Sequence, residues 1–332
     1  MPFSNEFLHR ATKEYRVQSV EADFEIARDL LNRAVVLAAK QTEHFQPSDV
    51  DIYLHGSYAN KTNIFFPSDM EIIVELKRTR DYDPEQFPHE TFRLHNNYFV
   101  ETNKEFNPAD FANLLYDALN QLTDDSAIMA DKWIELPKTP TMKHTLEIIP
   151  AFTFNHIERA PDVVTDPSIY LQPLQNGRIF KGILIYDRGV GSHIITFPKL
   201  HQSHGRAKDI ATNGNFLRQT RLFKTLNKIG HRESDFDQTR GYFIQCLLFN
   251  VPNELFIHID PRENSNSSDR IVFYKILNFL LQTDIGDFVC QNLVWELFGS
   301  AAEFWKIESG YNFIQNLKHL YTHFPSTRES LA

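Results

Sequence analysis

Cysteine is nearly absent from this sequence: Cys246 and Cys290 are the only 2 in 332 residues. Both stand in apolar surroundings, so the expectation is two buried thiols rather than a disulfide framework. No four-ligand Cys/His zinc cluster can be assembled around them. Long apolar runs are missing as well. Met1 to Arg10 carries no apolar signal core, and no stretch approaches the roughly 18 apolar residues of a membrane span. A soluble, cytoplasmic protein with no membrane role is expected. Positive charge is in deficit, with 34 Lys and Arg against 43 Asp and Glu, a formal net charge of −9. Proteins that grip a nucleic-acid backbone gain much of their affinity by neutralising phosphates. Strong nucleic-acid binding is therefore disfavoured. Small metal-chelated nucleotides stay admissible, because the metal carries the compensating charge. Internal repeats and low-complexity tracts are absent.

What is present is enough for two ordinary domains or one bilobed unit. Hydrophobic residues make up 42%, and Phe alone occurs 28 times, which suggests aromatic cores. Ser19 to Lys40 reads as a helix, since Ala27, Leu30, Leu31, Ala34, Val35 and Ala38 recur at helical spacing. Asp51 to Leu54 reads as a short strand, Ser57 to Lys61 as a tight turn with a helical start, and Glu71 to Leu76 as a second strand. Arg78 to Asn103 is polar and contains Pro, so a loop or insertion is expected. Pro108 to Leu122 reads as an amphipathic helix, and Ile128 to Leu136 and His144 to Phe154 as strands. Pro161 to Gly177 is turn-rich, and Arg178 to Phe197 holds two more strand-like runs. Beyond Asn215 the pattern is helical: Phe216 to Lys228, Gly241 to Phe249, Ser268 to Gln282, Asn292 to Trp305 and Gly310 to Phe324. The fold class expected is α+β, a mixed sheet with helices followed by a helical lobe. The division expected is a core over residues 1–210 and a helical lobe over 211–332.

The informative stretch runs from Gly56-Ser57 to Asp69-Met70-Glu71. Gly56 allows the backbone to approach a ligand closely. The turn after it presents amides to phosphate oxygens, and the Ser57 hydroxyl adds a donor. Asp69 and Glu71 lie two apart at a strand start, so both point to one face. Two carboxylates there suit hard, oxygen-seeking Mg²⁺. Two-metal phosphoryl transfer needs a further acid near the attacking hydroxyl. Glu147, in Leu146-Glu147-Ile148-Ile149, is an acid in an otherwise apolar strand, which is costly unless paired or metal-bound. Taken singly, each feature has a plainer explanation: a common turn, a solvated strand edge, an ion-paired edge residue. The ordered combination points to a metal-dependent phosphoryl-transfer site.

These residues resemble the polymerase beta-like nucleotidyltransferases, and the surrounding sequence is similar to the bacterial cGAS/DncV-like nucleotidyltransferases, or CD-NTases. The resemblance covers about residues 15 to 325. It rests on Gly56 through Asn63, on Phe197-Pro198-Lys199-Leu200-His201 with Gly205-Arg206-Ala207-Lys208, on Arg221-Leu222-Phe223-Lys224, and on Gly241-Tyr242 through Asn250-Val251-Pro252. It implies a bilobed polymerase beta-like fold with the site in a cleft. It implies synthesis of a cyclic di- or trinucleotide messenger from nucleoside triphosphates for anti-phage signalling, with a regulatory protein and a downstream effector as partners. It assigns Mg²⁺, or Mn²⁺ in its place, to Asp69, Glu71 and Glu147. It assigns the triphosphate to Ser57 and Lys224, a stacked nucleobase to Tyr242, and base choice to Thr196. Residues 71 and 147 are Glu where many relatives carry Asp. Gly241 stands where some carry a phosphate-contacting Ser, and Thr196 is neither of the residues that the resemblance links to pyrimidine or purine choice. The His/Cys zinc insert of the animal DNA sensor is missing, which argues against activation by DNA.

Without the resemblance, Lys224 reads as a snorkelling surface residue, Tyr242 as core and Thr196 as an ordinary strand residue. His201 and His204 are three apart but lack a third ligand at suitable spacing. Lys77, Arg78 and Arg80 read as a solvated basic loop. Two other functions fit the same residues: a linear nucleotidyltransferase acting on RNA or a small molecule, and a binding module without turnover.

Overall fold

The computed structural model describes residues 4–13, 20–64, 69–82, 106–158, 178–234, 239–257, 265–299 and 305–323. By compactness the chain divides into two units. One, the sheet unit, comprises Gln18–His55 and Asp69–Lys199; the other, the helical unit, comprises Met1–Val17, Gly56–Ser68 and Leu200–Ala332. A single cut between 1–210 and 211–332 does not describe this. The physical reason lies in helix α1 (Asn5–Thr12), whose Phe7, Leu8 and Ala11 are buried in the helical core.

In the sheet unit, helix α2 (Val20–Ala39) buries Val20, Asp23, Ala27, Leu31, Ala34, Val35 and Ala38 along one stripe. Strand β1 (Val50–Leu54) pairs antiparallel with β2 (Met70–Tyr82). Helix α4 (Pro108–Leu122) is stopped at its start by Asn107, whose Oδ1 accepts from Ala109 N at 2.8 Å and Asp110 N at 3.1 Å. The short strands β3 (Ile128–Met129) and β4 (Ile134–Leu136) follow, then β5 (Leu146–Glu158), β6 (Arg178–Asp187) and β7 (Ser192–Thr196). The sheet runs β1-β2-β5-β4-β3, with β6 pairing β5 and β7 pairing β6. The β2–β5 pair is parallel, and the crossover between them carries α4. One edge of β5 is shared: β4 pairs with Leu146–Ile148 and β6 with Ala151–Glu158.

Alternation gives the sheet two faces. Ile72, Val74, Leu146, Ile148, Phe152 and Phe154 point to one and are fully buried. Phe45, Phe106 and Phe111 pack there, with Phe111 and Phe152 ring centroids 6.1 Å apart. Glu71, Ile73, Glu75, Glu147, Ala151 and Ile183 belong to the other face, whose centre is an apolar cluster of Ile73, Ala151, Ile183 and Ile185; Asp69 immediately precedes β2.

The helical unit holds α1, the four-residue helix α3 (Gly56–Ala59), α6 (Asn215–Ser234), α7 (Gly241–Phe249), α8 (Ser265–Gln282) and α9 (Ile307–His323). Helix α5 (Pro198–Ala211) begins at the end of the sheet unit and continues in the helical one. The core is aromatic: Phe216, Phe223, Phe243, Phe256 and Phe273 are fully buried. Asp269, also buried, accepts from Arg218 Nε at 3.1 Å and from its Nη2. Cys246 and Cys290 are buried free thiols, as composition suggested. Among the described residues no helix is long and apolar enough to cross a membrane.

Several element readings need correction. Ile128 to Leu136 is not one strand but a hairpin, turned where Ala130 N donates to Trp133 O at 2.9 Å. Strand β2 continues through Arg78 to Tyr82 past a register shift, where polarity suggested a loop. Asn292 to Trp305 is not helical in its described part. Asn292 Oδ1 accepts from Val294 N and Trp295 N, and Leu293 is left-handed at φ +59°, so the side chain takes the backbone donors that a helix would use. Helices α1 and α5 were not anticipated. Pro161 to Gly177 and residues 83–103 lie outside the described residues.

One buried base on β7 makes a stability prediction. His193 is 5% exposed and its Nδ1 has no hydrogen-bond partner. Burial pushes its pKa down to about 4 from an ordinary value of about 6.5. The unfolded chain therefore takes up a proton first as pH falls. Stability from this group is complete above pH 6.5 and is lost between 6.5 and 4, up to about 3 kcal/mol. Urea unfolding at several pH values should show the loss, and His193→Gln should reduce it. An equally steep loss in the variant would assign it to other groups.

Candidate active site

Strand register sets three glutamates of the sheet unit side by side. In the β2–β5 pair, Glu71 and Glu147 are direct partners, so their side chains leave the same face side by side. Asp69 lies two residues before Glu71 and is exposed. The strand starts are tied where Met70 N donates to Thr145 O at 2.9 Å. The β4–β5 pair sets Glu135 opposite Glu147, so Glu71, Glu147 and Glu135 form a row across three strands. Burial first, and then the charges of Glu71, Asp69 and Glu135, push the Glu147 carboxyl up to about 7. His55 follows β1 directly, and its Nε2 is 3.9 Å from Glu71 Oε2. Burial lowers the His55 pKa to about 4, so this contact is a neutral imidazole beside a carboxylate rather than an ion pair.

Whether these residues suit a divalent cation follows from the donors. Asp69, Glu71, Glu147 and Glu135 offer only carboxylate oxygens, the set that Mg²⁺ takes. The same-sign repulsion that raises the Glu147 pKa is what a bound dication would reverse. As they stand, no three His, Cys, Asp or Glu side chains among the described residues converge closely enough to hold a metal. Repulsion among like charges opposes that closure.

Thr196 shares this face. Thr153 is paired with Ile183, and Ile183 with Thr196. Thr153 lies six residues beyond Glu147 along β5, about 20 Å of strand. Gly182 keeps β7 close, since a Cβ there would stand 2.7 Å from Thr196 O and 2.8 Å from the Phe197 ring. On the same face, Glu75 is buried and accepts from Tyr53 Oη at 2.8 Å, Thr153 Oγ1 at 2.7 Å and Lys199 Nζ at 2.8 Å.

The remaining expected residues belong to the helical unit. Gly56 has φ +65°, a left-handed conformation that a Cβ would strain. It opens α3, and Ser57 O accepts from Thr62 N at 2.9 Å. Lys224 Nζ donates to Thr62 O at 2.7 Å, and Gln245 Nε2 donates to Thr62 Oγ1 at 3.2 Å. Arg221 Nη1 donates to Lys61 O at 2.6 Å. A Cβ on Gly241 would lie 2.9 Å from Lys224 Cε, so the bare glycine leaves room for this lysine. Tyr242 lies against His201, ring centroids 4.4 Å apart, with its hydroxyl buried.

Sequence reasoning missed Glu135 and His55. Glu135, between the buried Ile134 and Leu136, carries the signal that singled out Glu147: one acid in an apolar strand. His55 could have been marked by its place between β1 and Gly56.

Comparison with known proteins agrees with this architecture. Residues 203–322 match the family model of the cGAS/DncV-like nucleotidyltransferase C-terminal helical domain. The cyclic nucleotide synthase CdnE01 of Staphylococcus haemolyticus is 30% identical over 285 residues, 84% of this chain and 87% of the relative. The cyclic UMP-AMP synthase of Rhodothermus marinus is 25% identical over 275 residues, 82% of this chain and 84% of the relative. Among solved structures, the Rhodothermus marinus CdnE c-UMP-AMP synthase with Apcpp and Upnpp superimposes with a TM-score of 0.72 at 20% identity, covering 98% of both chains. The chain belongs to the cGAS/DncV-like nucleotidyltransferase family.

Proposed function

We propose that this protein joins nucleoside triphosphates into a cyclic oligonucleotide by magnesium-dependent nucleotidyl transfer. The observation that carries the reading is the register of Glu71 against Glu147, with Asp69 two residues before, in a chain whose relatives are cyclic nucleotide synthases. Asp69, Glu71 and Glu147 would hold Mg²⁺, which would supply charge neutralisation for the triphosphate and lower the pKa of the ribose hydroxyl that attacks the alpha-phosphorus as pyrophosphate leaves. Glu147 stands on the acceptor side of this scheme, where it orients that hydroxyl. Ser57 and Lys224 bind the triphosphate, and Thr196 and Tyr242 contact the bases. Positioning and charge stabilisation then account for most of the rate. The anti-phage role, a regulatory protein and an effector answering to the product belong to the same reading, as does a cytoplasmic location.

The test is incubation with labelled ATP, GTP, CTP and UTP and Mg²⁺, phosphatase treatment, then mass spectrometry. A phosphatase-resistant cyclic product is expected and would reveal the bases. A phosphatase-sensitive chain would replace this reading with a linear transferase.

Glu135 gives a graded test of the carboxylate row. Glu135→Gln removes one negative charge from the strand beside Glu147. The half-saturating Mg²⁺ concentration should rise about threefold to fivefold, the effect of about 1 kcal/mol of screened attraction. The rate at saturating Mg²⁺ should change little. An unaltered Mg²⁺ titration would remove Glu135 from the site's electrostatics.

A further inference from the structure

Helix α2 carries an acid where its pattern calls for an apolar residue. Val20, Ala27, Leu31, Ala34 and Ala38 lie along its buried stripe, and Asp23 sits in that stripe, 2% exposed. Burying a carboxylate costs several kcal/mol unless hydrogen bonds replace the lost water. Its partners are specific. Asp23 Oδ2 accepts from Lys143 N at 2.8 Å and contacts His144 Nδ1 at 2.6 Å. His144 is itself 6% exposed. One oxygen thus takes the backbone of one residue and the side chain of the next, fixing both position and direction of the chain there.

That chain leads straight into the carboxylate row. Thr145 O, the next link, accepts from Met70 N, and Met70 lies between Asp69 and Glu71. Leu146 begins β5, and Glu147 follows. From Asp23 the sequence of contacts is therefore Lys143 and His144, then Thr145 to Met70, with Glu147 on one side and the Asp69–Glu71 pair on the other. Like charges must be held together there, and the segment before β5 is the place from which their strands can be held in register.

We infer that Asp23 is a positioning residue for the metal-binding carboxylates, acting through His144 and the start of β5. The inference rests on the proposed metal role of Asp69, Glu71 and Glu147. Asp23→Asn keeps the shape and one acceptor but removes the charge that holds two donors at once. His144→Gln removes the imidazole and keeps Asp23 in place.

The experiment measures Mn²⁺ affinity by isothermal titration, in the presence of a non-hydrolysable ATP analogue, for the whole protein and both variants. A control variant, Leu317→Ala in the helical core, supplies comparable thermal destabilisation remote from β5. Asp23→Asn should weaken Mn²⁺ binding about tenfold, His144→Gln less, and Leu317→Ala not at all. Synthesis by Asp23→Asn should recover as Mg²⁺ is raised. If both variants melt at lower temperature but bind Mn²⁺ within about twofold of wild type, Asp23 is only a structural residue and the inference is overturned. If Asp23→Asn does not fold, the His144→Gln titration decides by the same criterion. Failure of the wild-type protein to bind Mn²⁺ would instead overturn the metal reading itself, and this inference with it.

Discussion

Glu147→Gln should reduce product formation by at least about 10²- to 10³-fold, the effect of removing one group that stabilises charge in a transition state, while the protein melts at the same temperature or higher. The two halves of this expectation have one cause. Glu147 lies directly against Glu71 and between the strands bearing Glu71 and Glu135. Burial and those neighbours raise its pKa to about 7. A carboxyl whose folded pKa lies above its unfolded value contributes stability below the unfolded value, which is lost as pH rises through the folded one. At pH 8 the ionised side chain therefore opposes folding, and a neutral amide of equal size removes that opposition. Asp69→Asn with Glu71→Gln should act in the same direction on both measurements. Steady-state product formation beside a thermal melt at pH 8 checks it. An active Glu147→Gln enzyme would remove this residue from the chemistry. An inactive enzyme with a strongly lowered melting temperature would mean that Glu147 serves the fold instead.

Glu75→Ala should have the opposite signature: a large loss of stability, about 3 kcal/mol or about 4 °C in melting temperature. Glu75 sits on the same strand face as Glu71, yet its surroundings are arranged to receive a charge. Tyr53, Thr153 and Lys199 all donate to it. Burial and the Glu75 charge drive the Tyr53 phenol well above its ordinary range, so it stays a donor. Removing the carboxylate leaves two hydroxyls with no acceptor. The Lys199 contribution is small because that side chain is 56% exposed. Glu75→Gln, which retains an acceptor, should lose less than half as much. A melt of Glu75→Ala within about a degree of wild type would show that these donors find water or other partners. Two glutamates four residues apart on one strand are thus separated by their neighbours: one is paired with another glutamate, and the other is met by three donors.

That separation shows how far the residues alone could lead. Glu147 stood out as an acid in an apolar strand and Asp69 with Glu71 as an acid pair at a strand start, and the parallel register makes Glu71 and Glu147 partners. The helix over Pro108–Leu122 was legible to the residue because Asn107, Pro108 and Asp110 form a complete start signal. Other features depend on contacts distant in sequence. Nothing near Asp23 announces Lys143 and His144, 120 residues on. Helix α5 is polar and interrupted by Gly205. That glycine is explained by Gln291, whose amide nitrogen would lie 2.4 Å from a Cβ there. The stretch after Asn292 has helical composition but spends its donors on one side-chain oxygen. Periodicity registers burial, not the partner that a buried polar atom will find.

The order in which the chain visits its two units has a consequence for modularity. The helical unit is built from Met1–Val17, Gly56–Ser68 and Leu200–Ala332, and the sheet unit from the intervening pieces. No single cut of the polypeptide releases either one whole. A fragment beginning near residue 200 would carry almost all the helices but lack Phe7, Leu8 and Ala11, leaving part of an aromatic core open to water. Neither unit is therefore a cassette that recombination could lift out and graft elsewhere. Ser57, lying in the shortest of these segments, is tied to Asp69 by a bare dozen residues. Each unit depends on segments that the chain supplies from more than one place, so a truncation within either removes part of it.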